Sequence, residues 1–264
     1  FFFKQKTAYE ILTCDWSSDV CSSDLCACLG PCGGHNAAMA PAGLSRRGLL
    51  RNALAGVAAG AAFELPIARP ARAQSTLSPR QALQSLMDGN KRFLERRLVS
   101  YNEDLAMLQQ NTAEKQEPFA SILSCADSRV PVELLFDQSI GHVFVNRVAG
   151  NIATSEIIAS VEYGVEVLGT RVLMVLGHGS CGAVSASIAA KPVPGQISAL
   201  YRYIRPAVDE ARGNLDGAIR ANARIQARLI KDSSPVVAAA VKDGKLSVVA
   251  AYYDLASGKV TVLG

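Results

Sequence analysis

Residues 171–177, RVLMVLG, set five apolar side chains in an unbroken row between Arg171 and Gly177. A run this short, with no alternation of polar and apolar positions, fits a strand buried on both faces, and such strands belong to parallel sheets covered on each side by helices. Two further runs read the same way: FASILS, Phe119 to Ser124, and HVFVNR, His142 to Arg147. Between the latter and Arg171, a helix starting at Thr154 or Ser155 lines one face with Ile157, Ile158, Val161, Val165 and Leu168 and closes at Gly169. A strand, a crossover of about 20 residues holding a helix, and another strand make a right-handed β-α-β unit.

The flanks complete the pattern. Ser78 is a suitable N-cap, with Pro79 at the first helical position, for a helix in which Leu83, Leu86, Met87, Phe93 and Leu94 recur at spacings of three and four. Beyond Cys181 the spacing predicts a helix of small residues, then an amphipathic region to Ile230 interrupted at Pro206 and Gly213. The last stretch, KLSVVAAYYDLASGKVTVLG, reads as two β runs around an Ala-Ser-Gly turn. The expected fold class is α/β: a single domain with a mostly parallel central sheet flanked by helices, an N-terminal helical arm and a C-terminal β-hairpin or edge strand.

Composition narrows the class. With 49% hydrophobic and 19% charged residues, collagen-like, disordered and coiled-coil chains are excluded. No stretch reaches the roughly 18 consecutive apolar residues of a spanning helix. The composition is uneven, however. Five of the seven cysteines precede Met39, in a segment without sustained periodicity, and residues 1–38 are expected to be a non-native, adapter-like leader. Cys26, Cys28, Cys32 and His35 mimic a zinc cluster there, but no second half-site accompanies them.

Residues 39–73 have the order of a signal peptide: basic SRRGLLR, an Ala/Gly-rich apolar run from Ala53 to Phe63, and Ala71 and Ala73 as an A-x-A cleavage site. Arg46 and Arg47 followed by Leu49 and Leu50 resemble the twin-arginine export signal, so a periplasmic or otherwise exported protein is expected. Its mature part, 74–264, carries 20 Lys and Arg against 18 Asp and Glu, a net +2 that gives no argument for a nucleic-acid partner. No stable membrane insertion is expected once the signal is removed.

In open α/β sheets, functional residues gather beyond the carboxyl ends of the strands. The first buried strand ends in Cys125-Ala-Asp127-Ser-Arg129, the strongest in Gly177-His178-Gly-Ser-Cys181-Gly182. If these strands are near neighbours, Cys125, His178 and Cys181 converge. Two thiolates and an imidazole form a zinc set, and three protein ligands leave a fourth position for water, the catalytic arrangement. A disulfide between the only two cysteines of the mature part is the other reading, but it explains neither His178 nor the charged pair Asp127 and Arg129.

CADSRVP, VNRVAGN and GHGSCGAV, in this order and spacing, resemble the β-class carbonic anhydrases, whose patterns are C-x-D-x-R and H-x-x-C. The resemblance runs from about Leu77 to the C-terminus and includes AYYDLASGKV. It implies a zinc enzyme, a lyase, for the reversible hydration of CO2 to bicarbonate and a proton. One Zn2+ per chain would be held by Cys125, His178 and Cys181, with Asp127 and Arg129 as the catalytic dyad beside it. It further implies Gln116, Phe144 and Tyr163 as substrate-binding residues, part of that pocket being built across the interface of a homodimer or higher even oligomer. Taken alone, Gln116 reads as a loop residue and Phe144 and Tyr163 as core. His142 is the one spare histidine of the mature part, and no proton shuttle is assigned. Rival readings are the same fold acting on CS2 or COS, and a non-catalytic exported binding protein, which would be expected to have lost a ligand or the dyad.

Overall fold

Ser78 accepts a hydrogen bond from the Gln81 N–H while Gln81 reaches back to the Ser78 N–H, a reciprocal capping box that starts helix α1 (Pro79–Leu94) with Pro79 in its first turn. The computed structural model describes residues 75–100, 109, 112–113 and 115–264. The leader and signal segment expected at 1–38 and 39–73 lie outside the described residues.

After α1 come strand β1 (Ala120–Ser124), the short helix α2 (Val132–Leu135) and strand β2 (Val143–Arg147). Helix α3 (Ser155–Glu162) runs into a π-helical turn over Tyr163–Val167 and is followed by strand β3 (Val172–His178). Then come α4 (Gly182–Ala189), a 3-10 turn at Ile197–Leu200, α5 (Tyr201–Glu210), α6 (Leu215–Ser233) and α7 (Pro235–Lys242). Strands β4 (Ser247–Tyr253) and β5 (Val260–Leu263) close the chain. The sheet order is β2-β1-β3-β4-β5. Every pairing is parallel except β4 with β5, so the expected α/β architecture with a terminal hairpin is the one observed.

All seven residues of β3 are buried, which explains its unbroken apolar run. Val172, Met174 and Leu176 face a core shared with Ala82 and Leu86 of α1 and Leu135 of α2. Leu173 and Val175 face the opposite core, with Ala223, Ala227 and Ile230 of α6 and Val237 of α7. Each such side chain contributes roughly 1.5–3 kcal/mol of burial, so the strand has no face it could turn to water.

Four details depart from the sequence reading. Strand β2, read as buried on both faces, is a partly exposed edge strand. Pro206 does not interrupt the amphipathic region: it lies inside α5 on the exposed face, where solvent can satisfy the carbonyl its missing N–H leaves free, and the break falls at Gly213. The helix from Ser155 widens to π geometry before Gly169. The closing hairpin holds, but its first strand is also an inner strand paired with β3.

Register positions the site. Ser124, the last residue of β1, pairs with Leu176 of β3, and His178 at the end of β3 pairs with Tyr253 of β4. The segments that follow β1 and β3 therefore leave adjacent strands at one edge of the sheet.

Candidate metal centre

Because β1 and β3 are direct neighbours, Cys125 and the His178–Cys181 turn emerge side by side. The ligand atoms of Cys125, His178 and Cys181 lie within 4.8 Å of one another, and all three residues are buried. Both cysteines are free thiols, not a disulfide. His178 lies within β3, and Ser180 takes a left-handed backbone (φ 54°) that turns the chain at once so that Cys181 caps the N-terminus of α4.

The hydrogen bonds around the three donors fit a thiophilic divalent cation. His178 Nδ1 stands 2.9 Å from the Gly179 carbonyl oxygen. That oxygen can only accept, so Nδ1 carries the proton and Nε2 keeps its lone pair, the usual outer partner of a metal-ligating histidine. Nε2 itself is buried without a hydrogen-bond partner. A buried acceptor with no donor is costly, and a cation between the thiols would satisfy it. The two thiols also act on each other. Contact with Cys181 pulls the Cys125 thiol well below its ordinary range, aided by the Gly150 N–H 3.3 Å from its sulfur. The same contact holds Cys181 far above its ordinary range, and a divalent cation bound by both sulfurs would displace both protons. Sulfur, sulfur and imidazole nitrogen are the donors that zinc prefers.

Asp127 and Arg129 stand beside this cluster as a bidentate pair. Arg129 Nε donates to Asp127 Oδ1 at 2.9 Å and Nη2 to Oδ2 at 2.7 Å, with the Arg129 N–H on Oδ1 at 3.0 Å. The guanidinium holds the carboxyl well below the usual carboxylate range, so Asp127 is an acceptor at any physiological pH. Its Oδ2 is 3.8 Å from His178 Nε2. Arg129 Nη2 also donates to the Ser180 carbonyl at 3.3 Å, tying the dyad to the turn that carries His178 and Cys181.

Sequence reasoning assigned no role to Arg147 and Gly150, although both lie in VNRVAGN. Arg147 donates to the carbonyls of Cys125 (3.1 Å) and Asp127 (2.6 Å), clamping the loop that holds both. A charged residue ending an apolar strand could have signalled the first; a backbone N–H has no signature in sequence.

Gln116, Phe144 and Tyr163 are not brought to the triad. Phe144 pairs with Ser121, four residues before Cys125, which puts it roughly 13 Å back along the strand. Its ring centroid is 6.1 Å from that of Tyr163, which is 48% exposed. Gln116 is exposed ahead of β1, beside a cavity of about 280 Å³ lined by Thr112, Ala113 and Lys115. His142 is exposed just before β2.

The family model described as carbonic anhydrase matches residues 120–260, a span that includes all three donors and the dyad. The chain is 33% identical over 199 residues to carbonic anhydrase 2 of Mycobacterium tuberculosis, covering 70% of this chain and 93% of that protein. Among solved structures it is similar to the Coccomyxa β-carbonic anhydrase in complex with acetazolamide, with TM-score 0.55, 26% identity, and 69% of this chain and 86% of that one covered. A tetrameric β-carbonic anhydrase of the ascomycete Sordaria macrospora shares the fold at TM-score 0.55 and 19% identity, over 70% of this chain and 98% of that one. The chain belongs to the carbonic anhydrase family, in its β class, and is an enzyme of that family.

Proposed function

We propose that the protein is a zinc-dependent carbonic anhydrase, converting CO2 and water to bicarbonate and a proton and back, with one zinc per chain held by Cys125, His178 and Cys181. The observation that carries this is the buried, partnerless Nε2 of His178 converging with two free thiols next to a carboxylate locked by arginine. When bound, zinc supplies Lewis acidity, making water acidic enough to act as a nucleophile near neutral pH.

The chain's own residues supply orientation. Asp127, kept ionised by Arg129, accepts a hydrogen bond at Oδ2 from the O–H of the attacking oxygen and so turns that oxygen's lone pair toward the CO2 carbon. Both Asp127 oxygens are engaged by Arg129, which favours the state in which Asp127 is not itself a ligand. Arg147 keeps Asp127 in place through its carbonyl.

Gln116, Phe144 and Tyr163 are assigned to substrate binding in a partner's site. Phe144 lies on β2, the edge strand of the sheet, too far along it to reach its own chain's triad, and the half-exposed Tyr163 ring beside it is available to a second copy. The reading therefore includes a homodimer or higher even oligomer, checked by sedimentation. Export rests on the sequence pattern of 39–73, and N-terminal sequencing of the periplasmic protein is expected to begin near Gln74.

Stopped-flow assays with CO2, CS2 and COS on one preparation test the substrate. Fast CO2 hydration with slow turnover of the sulfur analogues is expected. Preference for CS2 or COS would move the same site to the alternative substrate, and no turnover of any of the three would leave a binding protein.

A further inference from the structure

Helix α6 turns an apolar face to the sheet, with Ile219, Ala223, Ala227 and Ile230, yet two primary amides on it, Asn222 and Gln226, are completely buried. Burying two amides is costly unless their hydrogen bonds are made, and apolar residues would fill the space as well. Neither amide touches the metal donors. What they hold is the loop at residues 150–153. Asn222 Nδ2 donates to the Gly150 carbonyl at 2.8 Å, and Gln226 Oε1 accepts from the Ala153 N–H at 2.9 Å. Gln226 Nε2 donates to Asn222 Oδ1 at 3.1 Å and to the Tyr203 carbonyl at 3.0 Å. The orientation of both amides is forced: a backbone carbonyl at one end only accepts, an N–H at the other only donates, and the link between the amides then has one direction.

Gly150 is also the residue whose N–H points at the Cys125 sulfur, 3.3 Å away. It must be glycine. Its φ is +76°, and a Cβ there would stand 2.7 Å from Ile204 Cδ1. A glycine has the softest backbone torsions, so a donor that must stay aimed at one sulfur needs an external clamp. The relay Gln226, Asn222, Gly150, Cys125 provides it from a rigid helix. We propose that Asn222, fastened by Gln226, is a positioning residue of the metal centre: it holds Gly150 so that its N–H remains on the Cys125 sulfur, and thereby sets metal retention and the donor strength of that sulfur. This rests on the zinc reading above.

The test compares cobalt(II)- and zinc-loaded wild type with Asn222→Ala, Gln226→Ala and, as a control on the same helix outside the relay, Ile230→Val. An N–H on the sulfur stabilises its lone pairs, so losing it moves the sulfur-to-cobalt charge-transfer band to longer wavelength. For Asn222→Ala, that shift and roughly 10–100-fold weaker zinc binding in a chelator competition are expected, with Gln226→Ala changing both less and in the same direction. Ile230→Val is expected to lower the melting temperature and leave band and affinity alone. Wild-type band and affinity in Asn222→Ala, or equal shifts in Ile230→Val, would overturn the inference. A wild type with no such band would instead overturn the zinc reading. Should both relay variants fail to fold, cadmium-113 NMR on the wild type decides. Scalar coupling of the Gly150 amide proton to cadmium and slow exchange of the Asn222 side-chain amide are expected, and the absence of either would overturn the inference.

Discussion

His178 Nδ1 lies 2.9 Å from the carbonyl oxygen of Gly179, its own neighbour in the chain. The metal-binding turn thus fixes the tautomer of its histidine with its own backbone, leaving Nε2 as the only nitrogen that can ligate. Replacing the ring therefore removes one of the three donors, and the nearest other candidate, Asp127 Oδ2 at 3.8 Å, is engaged by Arg129. His178→Ala is expected to keep its fold by circular dichroism but to retain only a small fraction of its zinc by elemental analysis, and full zinc occupancy would show that the donors lie elsewhere.

Asp127→Asn separates orientation from metal binding. The amide keeps the shape but cannot accept two hydrogen bonds from Arg129 through both of its atoms. Full zinc content with kcat lowered about 10²–10⁴-fold is expected. Arg129→Lys is expected to act in the same direction, because an ammonium cannot match the two-point contact. Unchanged kcat in either variant would remove the dyad from the chemistry.

The pH dependence follows from which groups can titrate. Asp127 is held well below the carboxylate range by Arg129, so it stays ionised and adds no limb between pH 6 and 9. Two thiolates also cancel the charge of a divalent cation, where three imidazoles would leave it intact, and so lend less acidity to water. Hydration activity is expected to rise through a midpoint above about pH 7. A flat profile across that range, in a step shown to be chemical, would contradict this charge argument.

Acid stability should depend on Asp137, which is buried beneath α1. Burial pushes its carboxyl up, but Arg92, the Ser100 hydroxyl and the N–H groups of Val99 and Ser100 outweigh it and bring the pKa down to about 2. A pKa depressed in the folded state contributes stability at pH values above the unfolded carboxylate range, and that contribution is lost as pH falls from about 4 to 2, a term of order 2 kcal/mol. Asp137→Asn is expected to be less stable than wild type at pH 7 by about that amount and to lose less stability on acidification. Parallel denaturation midpoints for the two proteins from pH 7 to pH 2 would contradict it.

The strands that carry the site were legible because burial on both faces leaves an unbroken apolar run, as at Val172 to Leu176, and because Cys125 and His178 follow such runs directly. Strand order was not legible. A crossover of about 20 residues can pass over one strand of about 4.8 Å width as readily as reach the next, and only the fold shows β1 between β2 and β3. Polar residues hid the rest. Asn222 and Gln226 look like the wet face of an amphipathic helix until their partners are seen to be the backbone at Gly150 and Ala153. Pro206 reads as a stop, yet an exposed face tolerates it. For Phe144 and Tyr163, spacing alone could not tell a core pair from a surface pair at the sheet edge.

Zinc content and CO2 hydration rate, measured on one purified preparation beside Cys181→Ser, test the metal-dependent reading most directly. About one zinc per chain with fast hydration, both lost in the variant, is the expected result. Fast hydration in a wild type free of zinc, or a Cys181→Ser protein that keeps both its zinc and its rate, would contradict it.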